Sequence, residues 1–227
     1  MHRFLKIALP FFAAAACSSD GGSPGGTGPG GQNNNTTAYA VSADSVFLDR
    51  TAPIGTSLET SVRVALGGQP AANVAVSWFT AAGSGSLSAK TSTTDADGVA
   101  SVTWKLSDTA HVNTLTATAG TGSVNVKATG TPGPATAISA ASADSTTVVA
   151  GASTLISVRV VDSFGNRVSG IPVAWASSGG SLSVTSSTTG PAGNADVVFL
   201  TATTPSTYSV TATAPGLSSV SFKVIGF

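Results

Sequence analysis

Charge is what this sequence has least of. Only 9% of its 227 residues are Asp, Glu, Lys or Arg, ten of each sign, so the formal net charge is zero. No basic stripe is present, which argues against a nucleic-acid surface. Cysteine occurs once, at Cys17, so no disulfide can form within the chain. Histidine occurs twice, at His2 and His111, and glutamate once, at Glu59. A zinc site fails for lack of ligands. A Ser-His-Asp site would have to use His111, and no nucleophile elbow appears, so His111 reads as a solvent-facing residue. Paired-carboxylate hydrolysis needs two acids across a cleft, whereas the acids here are sparse and sit mostly in turn-like stretches. These shortages leave a protein that is no enzyme and uses no cofactor.

What the chain has in quantity is Ser, Thr, Gly, Ala and Val, a mixture that suits short β-strands and tight turns and is poor in strong helix formers. The clearest stretch runs from Ser157 to Ser183. Ile156, Val158 and Val160 alternate with Ser157 and Arg159, the period-2 pattern of a half-buried strand. Asp162-Ser163-Phe164-Gly165-Asn166 then breaks the run, with Gly165 and Asn166 the pair best able to take positive φ. Alternation resumes at Ile171, Val173 and Trp175, which brings back a second strand with its tryptophan in the core. Val160, Asp162, Gly165-Asn166, Val168, Gly170, Val173 and Trp175 together resemble the signature of bacterial immunoglobulin-like domains of the invasin/intimin type (group 1).

The N-terminus carries Arg3 and Lys6, then an apolar run from Ile7 to Ala16 interrupted only by Pro10. That run is too short to span a bilayer and has the layout of a signal peptide, assigned to residues 1–16. It ends Ala14-Ala15-Ala16-Cys17, which resembles a bacterial lipobox, with Ala14 standing where leucine is usual. The resemblance implies lipidation of Cys17 and an N-terminal lipid anchor in the membrane. Ordinary cleavage at an Ala-x-Ala site is the other reading of the same residues. A lone thiol in an exported protein has no disulfide partner, so its place at the cleavage point is the best clue to its use. In diderm bacteria the family rule adds a destination: Ser18, with no aspartate directly after the cysteine, favours the outer membrane. Without Arg3 and Lys6 the chain has eight basic against ten acidic residues.

Residues 17–37 comprise the lipidated cysteine and a Gly/Ser/Asn-rich tether without a large apolar residue, too polar to offset its ordering entropy. A Gly-rich coil of this length spans roughly 25 Å. Beyond it the chain matches itself. Ser42-Ala43-Asp44-Ser45 recurs as Ser142-Ala143-Asp144-Ser145, Ser61-Val62-Arg63-Val64 as Ser157-Val158-Arg159-Val160, and Gly85-Ser86-Leu87-Ser88 as Gly180-Ser181-Leu182-Ser183. The period is domain-sized and too long for a solenoid. Each copy offers about seven strand-like segments, beginning with 40–48 and 137–149, and the fourth at 85–90 and 180–186. The expected fold is all-β: two tandem immunoglobulin-like β-sandwiches, at 38–131 and 135–227, joined by a short Pro-bearing stretch. Without a disulfide, the core must rest on Trp78, Trp104, Trp175 and Phe199, alongside Val62, Val64, Val76 and Val102 and their counterparts Val158, Val160, Val173 and Val197.

Asp95-Ala96-Asp97-Gly98 is a candidate calcium loop, since closely spaced aspartates before glycine suit a hard cation, but it has no glutamate at the twelfth position. The second copy reads Thr189-Gly190-Pro191-Ala192-Gly193, with no acid, so the shared element is the glycine before the strand. The resemblance implies a non-catalytic cell-envelope lipoprotein that presents two Ig-like domains for adhesion or for binding a protein or glycan at the cell surface. A structural envelope spacer without a ligand is the alternative. Aromatics clustered at one tip would favour the first, and uniformly Ser/Thr-covered faces the second. The chain closes with the second sandwich at Phe227, so no separate head is expected. If binding exists, the second domain is its expected place.

Overall fold

Alternating apolar and polar residues leave each strand of this chain with one face to bury, and two sheets packed face to face are the simplest way to bury them. The computed structural model describes residues 37–227. The signal peptide, Cys17 and the tether up to residue 36 lie outside the described residues.

The first sandwich is built from β1 (Ala40–Ala43), β2 (Arg50–Pro53), β3 (Ser57–Leu66), β4 (Gln69–Pro70), β5 (Ala75–Thr80), β6 (Ser86–Leu87), β7 (Thr91–Thr93), β8 (Val99–Lys105), β9 (Val112–Ala119) and β10 (Gly122–Thr131). One sheet runs β1-β3-β8-β6, with β4 paired to β3, and the other runs β2-β10-β9-β5-β7. The second sandwich uses β11 (Ala137–Ala140), β12 (Ser145–Val148), β13 (Ser153–Val161), β14 (Pro172–Ser177), β15 (Ser181–Leu182), β16 (Ser186–Thr188), β17 (Asn194–Leu200), β18 (Ser206–Thr213) and β19 (Val220–Gly226). Its sheets, β11-β13-β17-β15 and β12-β19-β18-β14-β16, repeat the order of the first.

Two expected strands in each copy prove to be divided. The segment 40–48 stops at Ala43, passes through a short 3-10 turn at Ser45–Phe47, and re-forms as β2 in the opposite sheet. There β2 runs parallel to β10, pairing Arg50 with Ala128, and β12 pairs parallel with β19 in the same way. The segments 85–90 and 180–186 likewise step between sheets, as β6 to β7 and β15 to β16. Alternation records which side of a strand is buried and is silent on which sheet it joins. The division gives each sheet a short edge strand, which limits the unpaired backbone it offers to solvent.

The core of each sandwich is centred on two large rings. Trp78, Trp104 and Phe199 are at most 1% exposed and Trp175 is 4% exposed, with the paired valines of both copies buried around them. The indole N–H of Trp78 donates to Ser92 Oγ and that of Trp175 to Ser187 Oγ, each at 2.9 Å. Trp104 donates to the Ser84 carbonyl at 2.8 Å. Each buried indole therefore keeps a partner for its one polar group. Phe199, which replaces Trp104 in the second copy, has no donor and instead meets the Tyr208 ring edge-on, with centroids 5.3 Å apart.

Candidate functional site

A cluster of polar side chains lies where the two sandwiches meet, and it is built on the turn after β13. Asp162 is 3% exposed, and its Oδ1 accepts the backbone N–H groups of Phe164 and Asn166, each at 2.9 Å. These bonds fold the chain back on itself, and Gly165 at φ +83° makes the reversal that a Cβ would strain. Asn166 itself does not take positive φ, contrary to the sequence expectation. Its side chain is used instead.

Asn166 reaches out of its own sandwich. Its Oδ1 accepts the Ala110 N–H at 2.8 Å and its Nδ2 donates to the Asp108 carbonyl at 2.8 Å, both in the loop between β8 and β9. The same Nδ2 lies 3.0 Å from Asp162 Oδ2, which also accepts the N–H of Gly133 in the connecting stretch at 2.9 Å. One turn of the second sandwich thereby holds both the first sandwich and the linker. Burial pushes the Asp162 carboxyl up, but the hydrogen bonds from the Asn166 side chain and from the backbone of Gly133, Asn166 and Phe164 outweigh it and leave it below the ordinary carboxylate value.

Beside these bonds is an open crevice of about 640 Å³, whose walls include His111, Val112, Pro132, Arg167 and Pro191. His111 is half-buried there, with Nδ1 2.9 Å from the Thr109 carbonyl. Expected from the sequence to face solvent, it lines this crevice together with Asn166 and Arg167 of the second sandwich. The first copy lacks the Asp-x-x-Gly-Asn turn at the matching place. Gly67 and Gly68, both at positive φ, close a two-residue hairpin between β3 and β4.

The Asp95 turn is held from within. Asp95 Oδ1 accepts the N–H groups of Asp97 at 2.9 Å and Val99 at 2.8 Å, and the Asp97 carbonyl accepts from Arg63 Nη1. Among the described residues, no group of three or more His, Cys, Asp or Glu side chains is placed to hold a metal ion. The turn's glycine is the element shared with the second copy: Gly98 has φ +71° and Gly193 φ +69°. The exposed aromatics do not gather at one tip. Phe79 lies on a sheet face, Phe164 at the joint turn and Phe227 at the chain end.

Sequence reasoning singled out Asp162 and Asn166 as turn formers and missed their role across the joint. No local signal marked that role, because their partners across the joint lie 29 to 58 residues away in the chain. The architecture defines a tandem immunoglobulin-like β-sandwich protein. Residues 138–225, almost the whole of the second sandwich, match the family model described as bacterial Ig-like domain (group 1).

One solved structure agrees on the fold at a TM-score above 0.5, and two others are similar at lower scores. The chain aligns with InvD of Yersinia pseudotuberculosis at a TM-score of 0.53 and 16% identity, covering 85% of this chain and 58% of that one. The D0-D1 domain of intimin aligns at 0.34 and 25% identity, covering 84% and 98% respectively. Invasin, a bacterial integrin-binding protein, aligns at 0.38 and 22% identity, covering 84% of this chain and 40% of that one. No curated protein sequence matches this chain.

Proposed function

We propose that this chain is a non-catalytic cell-envelope lipoprotein that presents its two Ig-like sandwiches at the cell surface for adhesion, by contact with a protein or glycan. The observation that carries the reading is the joint, where Asn166 and Asp162 tie the second sandwich to the loop and linker of the first. A pair held in this way transmits position and load from an anchored end to a presented one. The domain family of the second sandwich supports placement in the envelope. A lipid on Cys17 would supply the anchor, and the outer membrane is the proposed site. The reading invokes no cofactor and no nucleic acid, and the carboxylates with the most bonds, Asp162 and Asp95, are occupied by backbone amides.

A spacer without a ligand is the second reading, and one observation favours it. Phe79, Phe164 and Phe227 are exposed at separate places, and the face around Phe79 carries Ser77, Thr114, Thr116, Thr118 and Asn125 from the neighbouring strands. The two readings separate in an attachment assay. Cells displaying the full chain, and the same cells without it, are applied to protein-coated and glycan-coated surfaces under flow. Attachment that depends on the chain is the expected result. No chain-dependent attachment to any coating would leave the spacer.

A further inference from the structure

The duplication supplies an internal comparison for one sheet face. On the outward side of β3 and β8, Glu59 lies opposite Thr103 and Lys105 opposite Ser57. At the same register positions of β13 and β17, the second sandwich has Leu155 opposite Val198 and Leu200 opposite Ser153. The next strand fixes the equivalence. Ser88 donates its N–H to the Thr103 carbonyl and accepts the Thr103 N–H on its hydroxyl, and Ser183 does both with Val198. Leu155 is 58% exposed, Val198 41% and Leu200 45%. The sheet does not need apolar side chains here, since the first copy builds it with Glu, Thr and Lys. A single exposed leucine is ordinary, whereas three neighbours on paired strands make a patch.

We propose that the Leu155–Val198–Leu200 face is a protein-docking surface whose partner is a short segment of another protein, carrying an aliphatic or aromatic anchor beside a basic residue. The inference rests on the adhesion reading above and narrows its ligand from protein or glycan to protein. Size selects a segment over a second copy of the chain. Three half-exposed side chains offer a few hundred Å² at most, against about 800 Å² per partner in a stable interface between folded proteins. Chemistry selects protein over sugar, because the aliphatic trio has no aromatic ring on which a sugar face could stack.

Charge selects the flanking residue. Asp196 lies on the same face, two residues before Val198, and the Ser157 hydroxyl donates to its Oδ1. The cation further along, Arg159, is turned to Asn194 Oδ1 at 3.1 Å. Arg159 keeps its charge, but Asp196 lies one same-face register pair nearer the patch, so the charge next to the patch is negative. Ser153, Ser157 and Ser181, opposite Leu200 or Asp196 on the neighbouring strands, complete a hydroxyl rim able to bond a peptide backbone.

The test pans a random peptide library on phage against the full chain. Enriched peptides are then synthesised and titrated against the full chain and against its Leu155→Glu/Val198→Thr/Leu200→Lys variant. That variant carries the first sandwich's own residues, and its melting is checked; Leu155→Ser alone serves if the triple change lowers stability. The expected peptides share an apolar residue next to Lys or Arg and bind the variant about 10-fold or more weakly, the loss seen when an interface anchor is removed. Lack of enrichment, or equal affinity for both proteins, overturns the proposal. So does self-association of the wild-type chain that the variant abolishes, which assigns the face to a second copy, or binding to an oligosaccharide array that the variant loses. Carrying the variant into the attachment assay separates the two readings. Patch-dependent peptide binding without any attachment leaves the docking face and removes adhesion. Attachment that survives the variant keeps adhesion and removes this face.

Discussion

At the scale of residues, one amide links the two halves of the molecule. Asn166 gives an acceptor to Ala110 and a donor to Asp108 across the joint, and no hydrophobic side chain could replace either bond. Asn166→Ala should therefore lower stability by about 1–2 kcal/mol, the sum expected for one partly buried and one exposed hydrogen bond. Hydrogen exchange at the Ala110 amide should quicken while the amides of both cores stay protected. Unchanged exchange at Ala110 would show that the bond is not formed in solution. Asp162 adds a pH dependence of definite sign. Its folded value lies below the ordinary one, since its hydrogen bonds outweigh burial, so its contribution is present above the unfolded value of about 4 and is lost as pH falls through the folded value. Melting at stepped pH should show this loss below about pH 4, and Asp162→Asn should remove that part of the acid dependence.

At the scale of elements, the two copies show which turn features the fold demands. Asp95 and Gly190 occupy one place: each donates its N–H four residues on, to Val99 or Asn194, and each accepts the turn glycine's N–H. An aspartate is optional there, and the glycine is not. A Cβ on Gly193 would sit 2.8 Å from the Val160 carbonyl oxygen, and one on Gly98 2.5 Å from that of Val64. Gly170 also has positive φ, at +81°, but a Cβ there would meet nothing within 4 Å. Gly170→Ala should cost about 1 kcal/mol from backbone conformation alone. Gly193→Ala adds a clash with backbone and should cost about 2–3 kcal/mol. Chemical denaturation of the two variants checks the order, and equal costs would mean that the β13 edge yields easily.

At the scale of the whole molecule, the duplicated sandwiches have diverged at their surfaces and at their joint while keeping one sheet order. The first closes β3 to β4 with Gly67-Gly68; the second spends the same region on the Asp162–Asn166 turn that grips its neighbour. The proposal for the whole places the anchor at the opposite end of the chain from the patch. Cys17→Ser should move the protein from the membrane fraction to a soluble one, and fractionation with acyl labelling checks it. Labelling or membrane association that survives the substitution would remove Cys17 from the role.

The sequence by itself determined the class of fold and the residues of its core, because burial on one side of a strand leaves a period of two in every segment. Val62, Val64, Trp78 and Trp104 could be placed inward on that ground, as could Val158, Val160, Trp175 and Phe199. The doubling of the domain was equally legible, since the repeat is written in the residues themselves. Tertiary structure alone decided what depends on neighbours distant in the chain. Strand pairing energy sends β2 and β12 into the opposite sheet from β1 and β11, and alternation holds no trace of that choice. The partners of Asn166 lie 56 and 58 residues away, so its hydrogen bonds could not be read locally. Leu155, Val198 and Leu200 are unremarkable one at a time, and only the register of β13 with β17 sets them side by side on one exposed face.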